Sequence, residues 1–180
     1  MSEDLLRRKF EHRFNLLDTD HDGYITEADL TALGDRLIAH LQEPPTSPKS
    51  RSVADSRTHY WRCLSRLAAP DADGRVSKDA FVAGLAASAD SPRVREMVHP
   101  SIKADLALAD RDDDGVVDID EFTTLYTAIG VPTGQARDIF RVLDRNGDGS
   151  LDLDEWLEAA DEFFTATDST APGNHILGRV

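Results

Sequence analysis

Apolar side chains return every three or four positions through eight stretches of this 180-residue chain, and short runs rich in Asp, Asn and Gly interrupt them. That period is the signature of amphipathic helices. Leu5, Leu6, Phe10, Phe14 and Leu17 predict a helix over 2–17. Leu30, Leu33, Leu37, Ile38 and Leu41 predict one over 27–42. Pro44-Pro45-Thr46-Ser47-Pro48-Lys49-Ser50 then reads as an exposed connector. Val53, Tyr60, Trp61, Leu64 and Leu67 mark a helix over 52–68, and Phe81, Val82 and Leu85 one over 78–89. The stretch 92–109 is periodic but contains Pro100, which predicts a kink or short break there. Phe122, Leu125, Tyr126 and Ile129 predict a helix over 119–129, with Gly130 at its C-terminal cap. Ile139, Phe140 and Leu143 give 133–143, and Trp156, Leu157, Phe163 and Phe164 give 153–165. The fold class is all-α: four helix–loop–helix units in two pairs, packed as one compact globule. The expected division is 1–89, 90–166 and a tail, 167–180, whose Ile176, Leu177 and Val180 are apolar enough to dock.

The interruptions carry the chemistry. Three twelve-residue windows place oxygen donors at positions 1, 3, 5, 7, 9 and 12 with glycine at 6. The first is Asp18, Asp20, Asp22, Tyr24, Thr26 and Asp29 around Gly23. The second complete one is Asp110, Asp112, Asp114, Val116, Asp118 and Glu121 around Gly115. The last is Asp144, Asn146, Asp148, Ser150, Asp152 and Glu155 around Gly149. A hard cation such as Ca²⁺ takes six to eight oxygens at about 2.3–2.6 Å, and this spacing supplies them from one wrapped loop. Position 7 ligates through its backbone carbonyl, so Tyr24, Val116 and Ser150 differ freely. Position 12 delivers two oxygens from one carboxylate when it is Glu. Asp29 is one methylene shorter, which favours fewer oxygens and a smaller cage. The first loop is therefore expected to be the weakest Ca²⁺ site and the one that admits Mg²⁺, which prefers six ligands at about 2.0–2.1 Å.

A fourth window, centred on Gly74, is degenerate. It keeps Asp71 and Asp73, but Ala69 and Ala80 stand at positions 1 and 12. It is expected to hold no metal and to pair structurally with the first loop. The position-8 residues should form short antiparallel bridges, Ile25 facing Val76 and Val117 facing Leu151. Three bound Ca²⁺ are expected in all.

Composition narrows the functions. The net charge is −14 and the isoelectric point about 4.7, which argues against a nucleic-acid or anionic-membrane partner. Cys63 is the single cysteine, so no intramolecular disulfide forms, and its helical surroundings read as core. No stretch is long and apolar enough for a signal peptide or membrane helix, so a cytoplasmic protein is expected. The six histidines show no ligand spacing, and the catalytic motifs G-x-S-x-G and H-E-x-x-H are absent. The chain is not expected to be an enzyme.

On these loops the chain resembles the EF-hand superfamily, and on its layout it resembles calerythrin and the bacterial and invertebrate sarcoplasmic calcium-binding proteins. The shared features are four units in about this length, a longer connection in the first pair, a non-binding second loop and an apolar C-terminal extension. The resemblance implies an intracellular Ca²⁺ buffer or transporter with metal at loops one, three and four; a monomer is expected. The alternative is a Ca²⁺ sensor that binds a target protein on loading. Sensors of that kind open a Met-rich groove. This chain has two methionines, Met1 and Met97, so the sequence favours a buffer.

Overall fold

The structure, a computed structural model, describes residues 2–89 and 91–178; Asp90 at the expected join and Val180 of the tail lie outside the described residues. The order of elements is α1 (Ser2–Leu17), β1 (Tyr24–Ile25), α2 (Glu27–His40), α3 (Pro48–Ala68), β2 (Val76–Ser77), α4 (Lys78–Ala86), α5 (Pro92–Ala109), β3 (Val117–Asp118), α6 (Ile119–Ala128), α7 (Thr133–Leu143), β4 (Ser150–Leu151) and α8 (Leu153–Thr165). A short 3-10 helix, Pro172–His175, follows. The all-α reading holds. The strands are two-residue antiparallel bridges, and Ile25 pairs with Val76 and Val117 with Leu151, as expected.

Two expectations about boundaries need correction. The connector ends earlier than its composition suggested. Helix α3 begins at Pro48, because the Ser47 side chain accepts a hydrogen bond from the Ser50 amide and proline fits the first helical position. Helix α5 also runs through Pro100 without a break. Val94, Met97, Val98, Ile102, Ala104, Leu106 and Leu108 are all buried along it. Packing on both sides of the proline outweighs one lost backbone bond.

One apolar core spans the molecule. Phe10 of α1 stacks on Phe164 of α8 at 5.9 Å, and Phe14 meets Phe81 of α4 edge-on at 5.7 Å. Phe122, Tyr126, Phe140 and Trp156 make a second aromatic group. Such pairs add to plain area burial. Helix α3 packs along α5 and α2, and α5 against α8.

The segment after α8 folds back over the core. Ile176 and Asn174 are buried. The anchor is Lys9, whose ammonium is fully buried. Its Nζ donates to Asn174 Oδ1 at 2.9 Å and to the Ala166 carbonyl at 2.8 Å, and it lies 5.4 Å from the Phe163 ring centroid. Burial pulls the Lys9 pKa down to about 8, with Glu162 nearby pulling the other way. Ile176 and Leu177 help close an internal cavity of about 110 Å³ between the helices, lined also by Leu37, Tyr60 and Trp156.

Candidate metal centres

Each complete loop is built by two local devices. The first is the carboxylate at position 1. Asp18 accepts from the backbone amides of Asp22 and Gly23 at 3.2 and 3.0 Å. Asp110 does the same with Asp114 and Gly115 at 3.2 and 3.0 Å. Asp144 repeats it with Asp148 and Gly149 at 3.2 and 3.1 Å. The turn this enforces requires a left-handed residue at position 6. Gly23, Gly115 and Gly149 sit at φ of 89°, 91° and 88°. A Cβ there would meet nothing, so backbone conformation rather than space demands glycine.

The second device joins the loop to the helix that leaves it. Positions 9 and 12 are the N-cap and third residue of α2, α6 and α8, and all three form capping boxes: Thr26 with Asp29, Asp118 with Glu121, and Asp152 with Glu155. The position-12 carboxylate is thereby held over the loop. Glu121 accepts from the amides of Arg111 at 2.8 Å and Asp118 at 3.0 Å. Glu155 accepts from those of Arg145 at 3.2 Å and Asp152 at 3.4 Å.

The loops differ in what these devices leave free. In the third loop, Asp110, Asp112 and Glu121 bring carboxylate oxygens within 4.8 Å of one another, so positions 1, 3 and 12 converge. In the first loop the converging set is Asp18, Asp20 and Asp22, from positions 1, 3 and 5. Asp29 is tied elsewhere. One of its oxygens accepts from the amide and hydroxyl of Thr19 at 3.0 and 2.8 Å, the other from those of Thr26 at 2.9 and 2.7 Å. Burial pushes its pKa up, but the bonds from Thr26 and Thr19 outweigh this and hold it below the usual range. In the fourth loop Asn146 stands at position 3 and donates to Asp148 at 2.9 Å. The Ser150 hydroxyl and amide hold the Asp148 pKa low. The carbonyls of Tyr24, Val116 and Ser150 stay at position 7, on or just before the bridge strands. These donors are all oxygen and mostly anionic, the set a hard divalent cation requires.

Two cations near the loops escaped the sequence analysis. In the degenerate loop the Arg75 guanidinium reaches Asp71 and Asp73, each at 3.1 Å, and lies 4.2 Å from the ring centroid of Tyr24 in the first loop. A side-chain cation thus pairs with both carboxylates that remain there. Ser77 caps α4, but Ala80 has no carboxylate with which to complete the box. Lys49 of α3 reaches across to Asp113 at 2.6 Å, beside the third loop. Arg75 acts within its own loop but outside the ligand template, and Lys49 comes from a distant helix, so neither leaves a spacing signal in the sequence.

Comparison with known proteins follows the same division. A family model described as EF hand matches residues 10–33, 103–126 and 136–159, which contain the first, third and fourth loops. Calerythrin from Saccharopolyspora erythraea is 23% identical over 158 residues, covering 86% of this chain and 89% of that one. A Streptomyces coelicolor calcium-binding protein, described for prokaryotic calcium-mediated regulation, superposes with a TM-score of 0.81. It is 29% identical, and the match covers 91% of this chain and 99% of the other. This chain is a calcium-binding EF-hand protein, similar over most of its length to calerythrin and the sarcoplasmic calcium-binding proteins. The amphioxus sarcoplasmic calcium-binding protein shares the EF-hand fold, with a TM-score of 0.78 at 21% identity over 98% of both chains. These relatives are calcium-binding EF-hand proteins, which are not enzymes. Among the described residues no helix is long and apolar enough to cross a membrane.

Proposed function

We propose that this EF-hand protein is a cytoplasmic, monomeric Ca²⁺ buffer that takes three ions. Asp18, Asp20, Asp22, Tyr24, Thr26 and Asp29 form the first site. Asp110, Asp112, Asp114, Val116, Asp118 and Glu121 form the second, and Asp144, Asn146, Asp148, Ser150, Asp152 and Glu155 the third. The degenerate loop takes none, its carboxylates being satisfied by Arg75. The halves 1–89 and 90–166 each carry a pair of loops, and the tail 167–180 docks on the core through its described residues Asn174 and Ile176. The observation behind a buffer is the sealed apolar surface. Among the described residues Val142, at 40%, is the one large apolar side chain that is exposed. Ile176 and Leu177 lie over the cavity that the helices leave between them, so the tail covers apolar surface that would otherwise be open.

The test is an apolar-surface dye titrated with Ca²⁺. Flat or falling fluorescence fits a buffer. A large rise, with Ca²⁺-dependent capture of a partner, makes the protein a sensor, the reading favoured by the regulatory description of the Streptomyces coelicolor relative.

Selectivity follows from Asp29. Each of its oxygens accepts a hydroxyl as well as an amide, from Thr19 or Thr26, whereas Glu121 and Glu155 accept from amides alone, so Asp29 reaches a metal only by giving up a hydroxyl bond or through water. The first site is therefore the weakest for Ca²⁺ and the one shared with Mg²⁺. Asp29→Glu is expected to tighten Ca²⁺ there by about tenfold and reduce Mg²⁺ competition, measured by calorimetry with and without Mg²⁺. Weaker Ca²⁺ binding in the variant would contradict the geometric argument.

A further inference from the structure

On one flank of the α3–α5 contact, His59, Cys63 and Glu96 bring a ring nitrogen, a sulfur and a carboxylate oxygen within 4.8 Å of one another. We propose that these three side chains form a separate metal site for a borderline-soft divalent cation of the Zn²⁺ class.

His59 and Cys63 are four residues apart on α3, so they share a face and point at the same neighbour. The expectation that the histidines carry no ligand spacing missed this pair, because a His–Cys step on a helix becomes a metal signal only when the facing helix supplies the third donor. Helix α5 supplies it. His59 Nε2 is 2.8 Å from the backbone oxygen of Glu96, which fixes the two helices in register at this level.

The spacing fits an ion. His59 Nε2 and Cys63 Sγ are 3.5 Å apart. A tetrahedral centre with metal–nitrogen bonds of about 2.0–2.1 Å and a metal–sulfur bond of about 2.3 Å has a nitrogen–sulfur edge of about 3.5 Å. The donor set also separates this site from the loops. Sulfur and imidazole favour Zn²⁺-type cations, while Ca²⁺ and Mg²⁺ favour the all-oxygen loops. Cys63 is buried, His59 half-buried and Glu96 exposed, so a fourth position faces solvent for water.

Binding exchanges contacts already present. Arg62 Nη2 lies 3.3 Å from His59 Nδ1, which places the ring proton on Nε2, toward the Glu96 carbonyl. On binding, Nε2 gives up its bond to the Glu96 carbonyl and takes the metal, the ring proton passes through solvent to Nδ1, and the exposed Arg62 turns aside. The Cys63 thiol loses its proton to solvent as the sulfur–metal bond forms. The ion then pins the helix before the degenerate loop to the helix before the third loop.

The test uses the full chain in excess Ca²⁺, which keeps the loops filled, with Co²⁺ as the probe. A thiolate-to-Co²⁺ charge-transfer band is expected at one ion per chain, displaced by Zn²⁺. Cys63→Ser should abolish it. His59→Ala and Glu96→Gln, at less buried positions, should each weaken Co²⁺ binding by about tenfold or more while keeping the Ca²⁺-loaded melt. Arg62→Ala should leave the band in place. Absence of the band in the unaltered protein overturns the proposal. So does a band whose affinity is unchanged in both His59→Ala and Glu96→Gln, since that is a metal on a thiol alone.

Discussion

Ca²⁺ is expected to raise the melting temperature of the metal-free protein by on the order of 20 °C. The cause is linkage: each ion that binds only the folded state adds about 2.7 kcal/mol at a hundredfold excess over Kd, and a domain of this size gains about 2–4 °C per kcal/mol. The structure explains why the metal-free state is costly. Asp110, Asp112 and Glu121 hold like charges within 4.8 Å, and Asp18, Asp20 and Asp22 do the same. Backbone amides stabilise individual oxygens but do not cancel this repulsion. Glu121→Gln and Glu155→Gln should each remove most of the affinity of their own loop and about a third of the thermal shift. Melts in EDTA and in Ca²⁺ that superimpose would refute this.

Deleting residues 172–180 is expected to lower the melting temperature by about 10 °C and to raise apolar-dye fluorescence in both the metal-free and the Ca²⁺-loaded protein. Three losses add together. Ile176 leaves the core, and burying such a side chain contributes about 1.5–3 kcal/mol. Lys9 loses Asn174 Oδ1 and keeps the Ala166 carbonyl, and one lost hydrogen bond to a charged group costs about 1.5–3 kcal/mol. His12 loses its bond to the Leu177 carbonyl at 2.8 Å. The internal cavity also opens where Ile176 and Leu177 had closed it. A truncated chain that melts with the full one and leaves the dye unchanged would show that the tail merely rests on the surface.

The hydrophobic period made the helices legible, and the Asp/Gly grammar made the loops and their bridges legible, because both are local. What escaped was set by distant parts of the chain. Pro100 stays helical because α5 is packed along both halves of its length. Ser47-Pro48 was a readable cap hidden in a proline-rich run. Asp29 was flagged as short, but its capture by Thr19 depends on a backbone that only the folded loop provides. Arg75 on Tyr24, Lys49 on Asp113, and Lys9 under the tail are each one long side chain reaching another element. So is Glu96 opposite His59 and Cys63.

The central claim is that three loops bind Ca²⁺ and the fourth does not, and native mass spectrometry of the full chain across a Ca²⁺ titration tests it most directly. The expected end point is three ions per chain, falling to two in Asp110→Ala and unchanged in Arg75→Ala. A fourth specifically bound ion in the unaltered protein, lost when Asp71 and Asp73 are replaced, would contradict the account.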